Sequence, residues 1–140
     1  MSTRSITAIL DEDGREIVVV YNQHDGYPSG YGLELAKFLS GFKVTNGISA
    51  NNESKKTANG MECLAAQLVV HFKTGVGGVY LYTAKTRRMG DEFLYEISLD
   101  NSKLMIKLFK SDLGTYPDLY SEIFSGTPEE FLLNFEQEVT

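Results

Sequence analysis

One cysteine, Cys63, stands among 140 residues, so neither an internal disulfide nor a cysteine-rich zinc site can brace this chain. No run of about 18 apolar residues occurs, which excludes a membrane-spanning helix. The stretch from Met1 to Ile9 lacks the apolar core of a signal peptide, and a cytoplasmic location is expected. Bases are missing from the C-terminal part: Ser111 to Thr140 carries seven acids and no Lys or Arg.

What is present describes one ordinary soluble domain over residues 1–140: 42% hydrophobic, 23% charged and 11% aromatic, too apolar for a disordered chain. A domain of this size buries roughly two thirds of its unfolded surface, enough for an unaided core. Thirteen Lys and Arg against nineteen Asp and Glu give a net charge of −6. That balance argues against general nucleic-acid binding, which needs a basic surface to neutralise phosphate.

The charge is unevenly placed. Residues 1–110 hold all thirteen bases and twelve acids, so almost all the negative charge lies in Asp112, Asp118, Glu122, Glu129, Glu130, Glu136 and Glu138. Tyr116, Tyr120, Phe124, Phe131 and Phe135 interleave with these acids. The segment is too aromatic for a free tail and is expected to pack on the body with its acids solvated. The functional alternative is an acidic flap over an anion-binding surface, or a face that docks on a basic partner.

Two β-rich runs, Ile6 to Leu10 and Ile17 to Tyr21, flank Asp11-Glu12-Asp13-Gly14-Arg15 and predict a hairpin. Leu35, Phe38, Leu39 and Phe42 then recur at a helical period, closed by Gly41. Val44 to Asn59 is polar and rich in Asn, Ser, Lys and Gly, which predicts a mobile loop. Met61 to Lys73 is apolar around most of its circumference, the requirement of a helix laid on a sheet and covered on its other side. Gly75 to Gly78 ends that helix and leads into a strand at Val79 to Tyr82. Alternation predicts two further strands, through Phe93 to Leu99 and Lys103 to Leu108. Thr127-Pro128-Glu129-Glu130 is a capping box with proline at the first helical position, opening a terminal helix with Phe131, Phe135 and Val139 on one stripe. The expected class is α+β: about five strands in a mainly antiparallel sheet, helices mainly on one face, order β-β-α-α-β-β-β-α.

The densest group of unusual residues runs from Tyr21 to Gly32, between a strand and a helix. His24, Asp25, Gly26, Tyr27, Ser29, Gly30, Tyr31 and Gly32 form a corner whose glycines would let a backbone approach a ligand. Unpaired amides at the following helix start would attract an anion. The corner has neither a Walker ending nor a GxGxxG fingerprint, and Gly-Tyr-Pro-Ser-Gly also fits a plain tight turn. Lys85, Arg87 and Arg88 follow Tyr80 and Tyr82, and this basic and aromatic group suits a phosphate and a base, or a solvated hairpin tip. Lys55 and Lys56 in the polar loop would close over such an anion.

Other reactive side chains have structural readings beside the chemical ones. His24 and Asp25 are the neighbouring His and carboxylate from which a general-base mechanism would start, although adjacent residues of an extended segment point apart. His71 is expected to cap its helix's last carbonyls, since no second histidine lies at helical spacing to share a metal. Cys63, within an apolar helix, is expected to act as a small hydrophobe. The spacing supports neither a metal nor a cofactor.

Asp25-Gly26-Tyr27-Pro28-Ser29-Gly30, with Asn59-Gly60-Met61, Cys63 to Leu68 and Gly77 to Tyr82, resembles a family of small proteins of uncharacterised function met in phages and prokaryotic genomes. The resemblance implies no activity, cofactor or catalytic residue. A phage setting would favour a small accessory or host-interaction protein over a metabolic enzyme.

Three functions are therefore carried forward. The leading expectation is a non-enzymatic binding protein holding an anionic small molecule, a nucleotide by preference, at the Gly-rich corner with Tyr82, Arg87 and Arg88, within a homo-oligomer. The first alternative is an interaction module docking on a host protein through the acidic aromatic C-terminal segment. The second is a hydrolase or transferase using His24 and Asp25.

Overall fold

The computed structural model describes residues 3–47, 56–112 and 120–136. Its described residues form an α+β fold of three helices and eight strands, six of the strands in one mixed sheet. β1 (Ser5–Leu10) and β2 (Glu16–Asn22) make the expected antiparallel hairpin. Its turn is closed by the Asp11 carboxylate, which accepts from the N–H groups of Asp13 and Arg15 at 2.9 Å each. Gly14 there takes φ +83°, a conformation that a β-carbon resists.

After β2 the chain turns through one wide π-helical turn, Pro28–Gly32, into α1 (Leu33–Leu39). β3 (Lys43–Thr45) and β4 (Thr57–Asn59) then pair in parallel outside the main sheet, followed by α2 (Gly60–Phe72). β5 (Val79–Thr83), β6 (Phe93–Asp100), β7 (Lys103–Ser111), β8 (Tyr120–Gly126) and α3 (Pro128–Glu136) complete the chain. The main sheet has the order β5-β2-β1-β6-β7-β8. At α3 the capping box is formed in both directions: Thr127 N–H donates to Glu130 Oε1 at 2.8 Å and Glu130 N–H to Thr127 Oγ1 at 3.2 Å. Val139, placed on this helix by its spacing, lies outside the described residues.

The expected five strands are corrected at three points. β3 and β4 are three residues each, held by side chains: Thr45 Oγ1 donates to Gly47 O, and Gly47 N–H donates to Asn59 Oδ1. Hydrophobic periodicity does not register so short a pair. β8 escapes the period-two pattern because a bulge in the β7–β8 pairing, between Glu122 and Phe124, leaves Ile123 extra. The main sheet is mainly antiparallel as expected, with one parallel pairing, β1 with β6, at its centre.

That parallel pairing has a topological cause. β5 is antiparallel to β2, which is antiparallel to β1, so β5 and β6 run the same way. The chain leaving β5 must travel back along the sheet before β6 can begin. Residues 84–92 make this crossover. Met89, midway along it, covers Ile6, Ala8, Val19, Tyr21 and Leu94 together with Phe109 and Tyr120.

The helices lie on the opposite face, where Ile9, Val20, Tyr95, Ile97, Ile106 and Leu108 meet Leu35, Leu39, Leu64, Leu68 and Phe131. Each such aliphatic side chain contributes about 1.5–3 kcal/mol through removal from water. α2 buries Met61, Leu64, Ala65 and Leu68. The cover expected on its other side is not supplied by the described residues: Ala66 is exposed and Val70 is 78% exposed.

Candidate functional site

The Gly-rich corner is closed by its own bonds. Gly26 N–H donates to Thr3 O at 2.9 Å, Tyr31 N–H to Asp25 O at 2.8 Å, and Gly30 N–H to Tyr27 O at 2.9 Å. Gly32 N–H reaches Tyr27 O at 3.3 Å, and Leu33 N–H reaches Pro28 O and Gly30 O. These five amides are bonded within the chain. Tyr31 turns inward and shares a 2.6 Å hydrogen bond with Thr7 Oγ1, while Tyr95 Oη donates to Gly26 O at 2.8 Å. Burial raises the phenol pKa of both tyrosines, in Tyr31 against the opposing effect of the Thr7 bond.

The glycines serve close approach. A β-carbon on Gly26 would meet Ser5 Cβ at 2.6 Å, and one on Gly32 would meet Tyr95 Oη and the Phe131 ring at 2.9 Å. Beneath Gly26, Ser5 Oγ and Asn22 Oδ1 are buried without a hydrogen-bond partner among the described residues. His24, Asp25, Tyr27 and Ser29 are exposed around this corner, Asp25 at φ +54°.

Arg87 of the expected site is anchored at the other end of β2. Arg87 Nη2 and Nη1 donate to the two Glu16 carboxylate oxygens at 2.7 and 3.1 Å, and Lys85 N–H also donates to Glu16. Glu16 begins β2, whereas the corner follows its end, seven residues or about 20 Å away at about 3.3 Å per residue. Arg88 is exposed at φ +64° and its backbone hydrogen-bonds Tyr120. Tyr82 lies on β5 opposite Val19, edge-on to Tyr21 at 6.2 Å. Arg87 is therefore committed to Glu16 at the far end of β2 from the corner, whereas Tyr82 meets Tyr21 near the corner's start. Lys56 Nζ donates to Ser40 O and Lys37 O at the end of α1, and Lys55 lies outside the described residues.

The C-terminal aromatics are structural as well. Phe131 and Phe135 are buried, Phe124 packs against both rings, and Tyr120 Oη donates to the Asp91 carboxylate at 2.9 Å. Glu129 accepts from Ser40 Oγ and Gly41 N–H, fastening α3 to the end of α1. Tyr116, Asp118 and Glu138 lie outside the described residues.

What the structure assembles instead is an apolar groove between α1 and α2. Phe38 and Phe42 form one wall and Cys63, Ala66, Gln67, Val70 and His71 the other, around about 460 Å³. An adjoining hollow of about 330 Å³ shares Phe38, Phe42 and His71 and is bordered by Glu34, Lys37 and Lys56. The His71 ring stacks on Phe38, centroids 4.6 Å apart, rather than capping the carbonyls of its own helix. Cys63 and His71 are eight residues apart, about 12 Å along the helix, too far for a thiol–imidazole pair. The sequence signal for this groove was the all-round apolar character of α2, while Phe38 and Phe42 registered only as part of a helical period.

The sheet edges are blunted. On β5, Lys73 Nζ donates to Gly77 O and Val79 O at 2.9 and 2.8 Å, and Thr86 Oγ1 donates to Thr83 O at 2.7 Å. On β8 the bulge at Ile123 and the charge of Glu122 oppose strand addition. Comparisons with protein-family models, curated proteins and solved structures returned no match. The geometry alone thus carries the functional reading, and among the described residues it presents an open apolar groove on the helical side.

Proposed function

We propose that this protein is an interaction module that docks another polypeptide in the groove between α1 and α2. One observation carries the reading: Val70 is 78% exposed on a helix whose opposite side chains, Leu64 and Leu68, are fully buried. A helix apolar all round is stable in water only when both sides are covered, and Phe38 and Phe42 beside Val70 extend the exposed surface into a groove. Aromatic and aliphatic side chains in a partly enclosed hollow are the makings of an interface anchor. At the corner the Gly26, Gly30, Tyr31 and Gly32 amides are already bonded within the chain, which favours the groove over the corner as the binding surface.

A photo-crosslinking residue placed at position 70 in the full chain tests this in cells. The expected result is a discrete polypeptide adduct that is lost when Ala66→Glu is added. The same probe at Leu133, which is 67% exposed on α3, serves as the control. Equal labelling from positions 70 and 133, or none from position 70, overturns the docking reading.

A further inference from the structure

We infer that residues 84–92 form a strap that lifts from the sheet as a unit when its carboxylate clasps are protonated, baring an apolar face that the closed protein conceals. The inference concerns the face opposite the helices and does not rest on the groove between α1 and α2.

Two side-chain clasps hold the strap. Near β5, Glu16 on β2 accepts the Arg87 fork and the Lys85 amide. Near β6, Tyr120 on β8 donates to Asp91 at 2.9 Å, and the second Asp91 oxygen accepts the Met89 amide at 3.1 Å. The Arg88 main chain joins the same Tyr120 hydroxyl. Each clasp depends on a carboxylate nearly closed off from water: Asp91 is 1% exposed and the Glu16 side chain 9%. Such clasps give way locally, whereas the strand ladder beneath yields only with the whole sheet. The backbone favours release as well. Lys85 and Arg88 take φ +70° and +64°, left-handed conformations that cost a residue with a β-carbon energy and that lifting relaxes.

What lies beneath is apolar. Met89 is the strap's plug over Ile6, Ala8, Val19 and Leu94, the first three fully buried. Pairing of Val19 with Tyr82 and of Tyr21 with Tyr80 sets both β5 tyrosines on this same face, 38% and 41% exposed. Lifting the strap extends that open aromatic rim into one continuous surface.

Acid is the trigger because a protonated carboxyl no longer makes an ion pair. Glu16 faces Arg87 and Lys85, both on the strap; burial raises its pKa, but their bonds outweigh burial and hold it below the ordinary 4.5. This clasp is complete above that value and is lost as pH falls through the lower folded one. Asp91 faces the Tyr120 phenol, and both act on the Arg87 guanidinium. Burial and Asp91 raise the Tyr120 pKa, so Asp91 is the member of that clasp that takes up acid. Arg4 lies against the strap at Gly90.

Hydrogen exchange of the full chain, read by mass spectrometry against free-peptide rates, tests the inference. At neutral pH the amides of residues 85–91 should exchange at least about tenfold faster than those of β1 and β6, because they open without global unfolding. Strap opening should rise about threefold or more between about pH 6 and pH 3.5. The rise should vanish when Glu16→Gln and Asp91→Asn are combined, since both keep an acceptor oxygen but carry no charge. Ala8→Cys in a Cys63→Ser background reports the bared face. Its thiol lies under Met89 and should react with a pyridyl disulfide faster than one at Ala36, which is fully buried among the helices.

Strap amides that exchange only at the rate of β1 and β6 overturn the inference, as does opening that is constant with pH or a rise that persists in the double variant. A thiol at position 8 protected as long as one at position 36 also overturns it, because the strap then frays without uncovering the sheet. Should the cysteine variants fail to fold, exchange in the unaltered chain still decides.

Discussion

The Arg87 guanidinium grips the Glu16 carboxylate through both oxygens, at 2.7 and 3.1 Å, and so pins the crossover between β5 and β6 to the first residue of β2. The same carboxylate takes the Lys85 amide. One acid therefore holds the strap that covers Ile6, Ala8 and Val19.

Arg87→Ala should cost about 1.5 kcal/mol in urea unfolding, the usual size for a charge-assisted fork that remains partly exposed. Amide exchange should quicken in residues 84–92. Burial raises the Glu16 pKa, but the Arg87 and Lys85 bonds outweigh it and hold the carboxyl below its ordinary value of 4.5. The fork's contribution is thus complete above about pH 4.5 and fades as pH falls through the lower folded value. Glu16→Gln should remove that acid-side dependence, and a pH profile of stability unchanged by the substitution would refute it.

Tyr31 and Tyr95 should keep their protons in the folded protein well above pH 10, because burial raises both phenols. In the unfolded chain they ionise near 10, so stability falls as pH rises past that point. Absorbance titration at about 295 nm, where phenolate absorbs, should show these tyrosines ionising together with unfolding rather than before it. Tyr31→Phe removes the bond to Thr7 and should cost about 1 kcal/mol.

At the corner, opposite signs are expected from two neighbouring substitutions. Ser5→Ala deletes a buried hydroxyl that lacks a described partner, and should be neutral or stabilise by up to about 1 kcal/mol. Gly26→Ala drives a β-carbon into Ser5 and should cost at least about 2 kcal/mol. Calorimetric titration with nucleotides should be silent if the corner is purely structural. A saturating isotherm abolished by Arg87→Ala would restore the anion site instead.

The two faces of α2 should respond differently. Leu68→Ala leaves a cavity and should cost about 2–5 kcal/mol, whereas Val70→Ala at low protein concentration should change stability by less than about 0.5 kcal/mol. Equal losses in chemical denaturation would show that the outer face is already packed.

Local chemistry made several elements readable. The Asp11 and Gly14 turn, the Thr127 and Glu130 box, and the alternation through Phe93 to Leu108 each report on contacts a few residues away. β3 and β4 were not readable, because side-chain bonds at Thr45 and Asn59 hold three-residue strands that have no period. β8 was hidden by a bulge that breaks alternation at Ile123. The glycines of the corner were read as room for a backbone to approach a ligand, and the sequence could not show that Ser5 lies against Gly26, or Tyr95 and Phe131 against Gly32.

Composition and periodicity by themselves determined the α+β class, the hairpin, the terminal helix and the apolar character of α2 around most of its circumference. Only the tertiary structure decided that Arg87 belongs to Glu16, that Tyr31 belongs to Thr7, and that one side of α2 faces open space beside Phe38 and Phe42. The physical reason is range. Turns, caps and amphipathic periods act over a few residues and are written in neighbouring letters. The partners of a charge or of an apolar face are set by where a crossover sends the chain, and residues 71 positions apart become neighbours only once the sheet has formed.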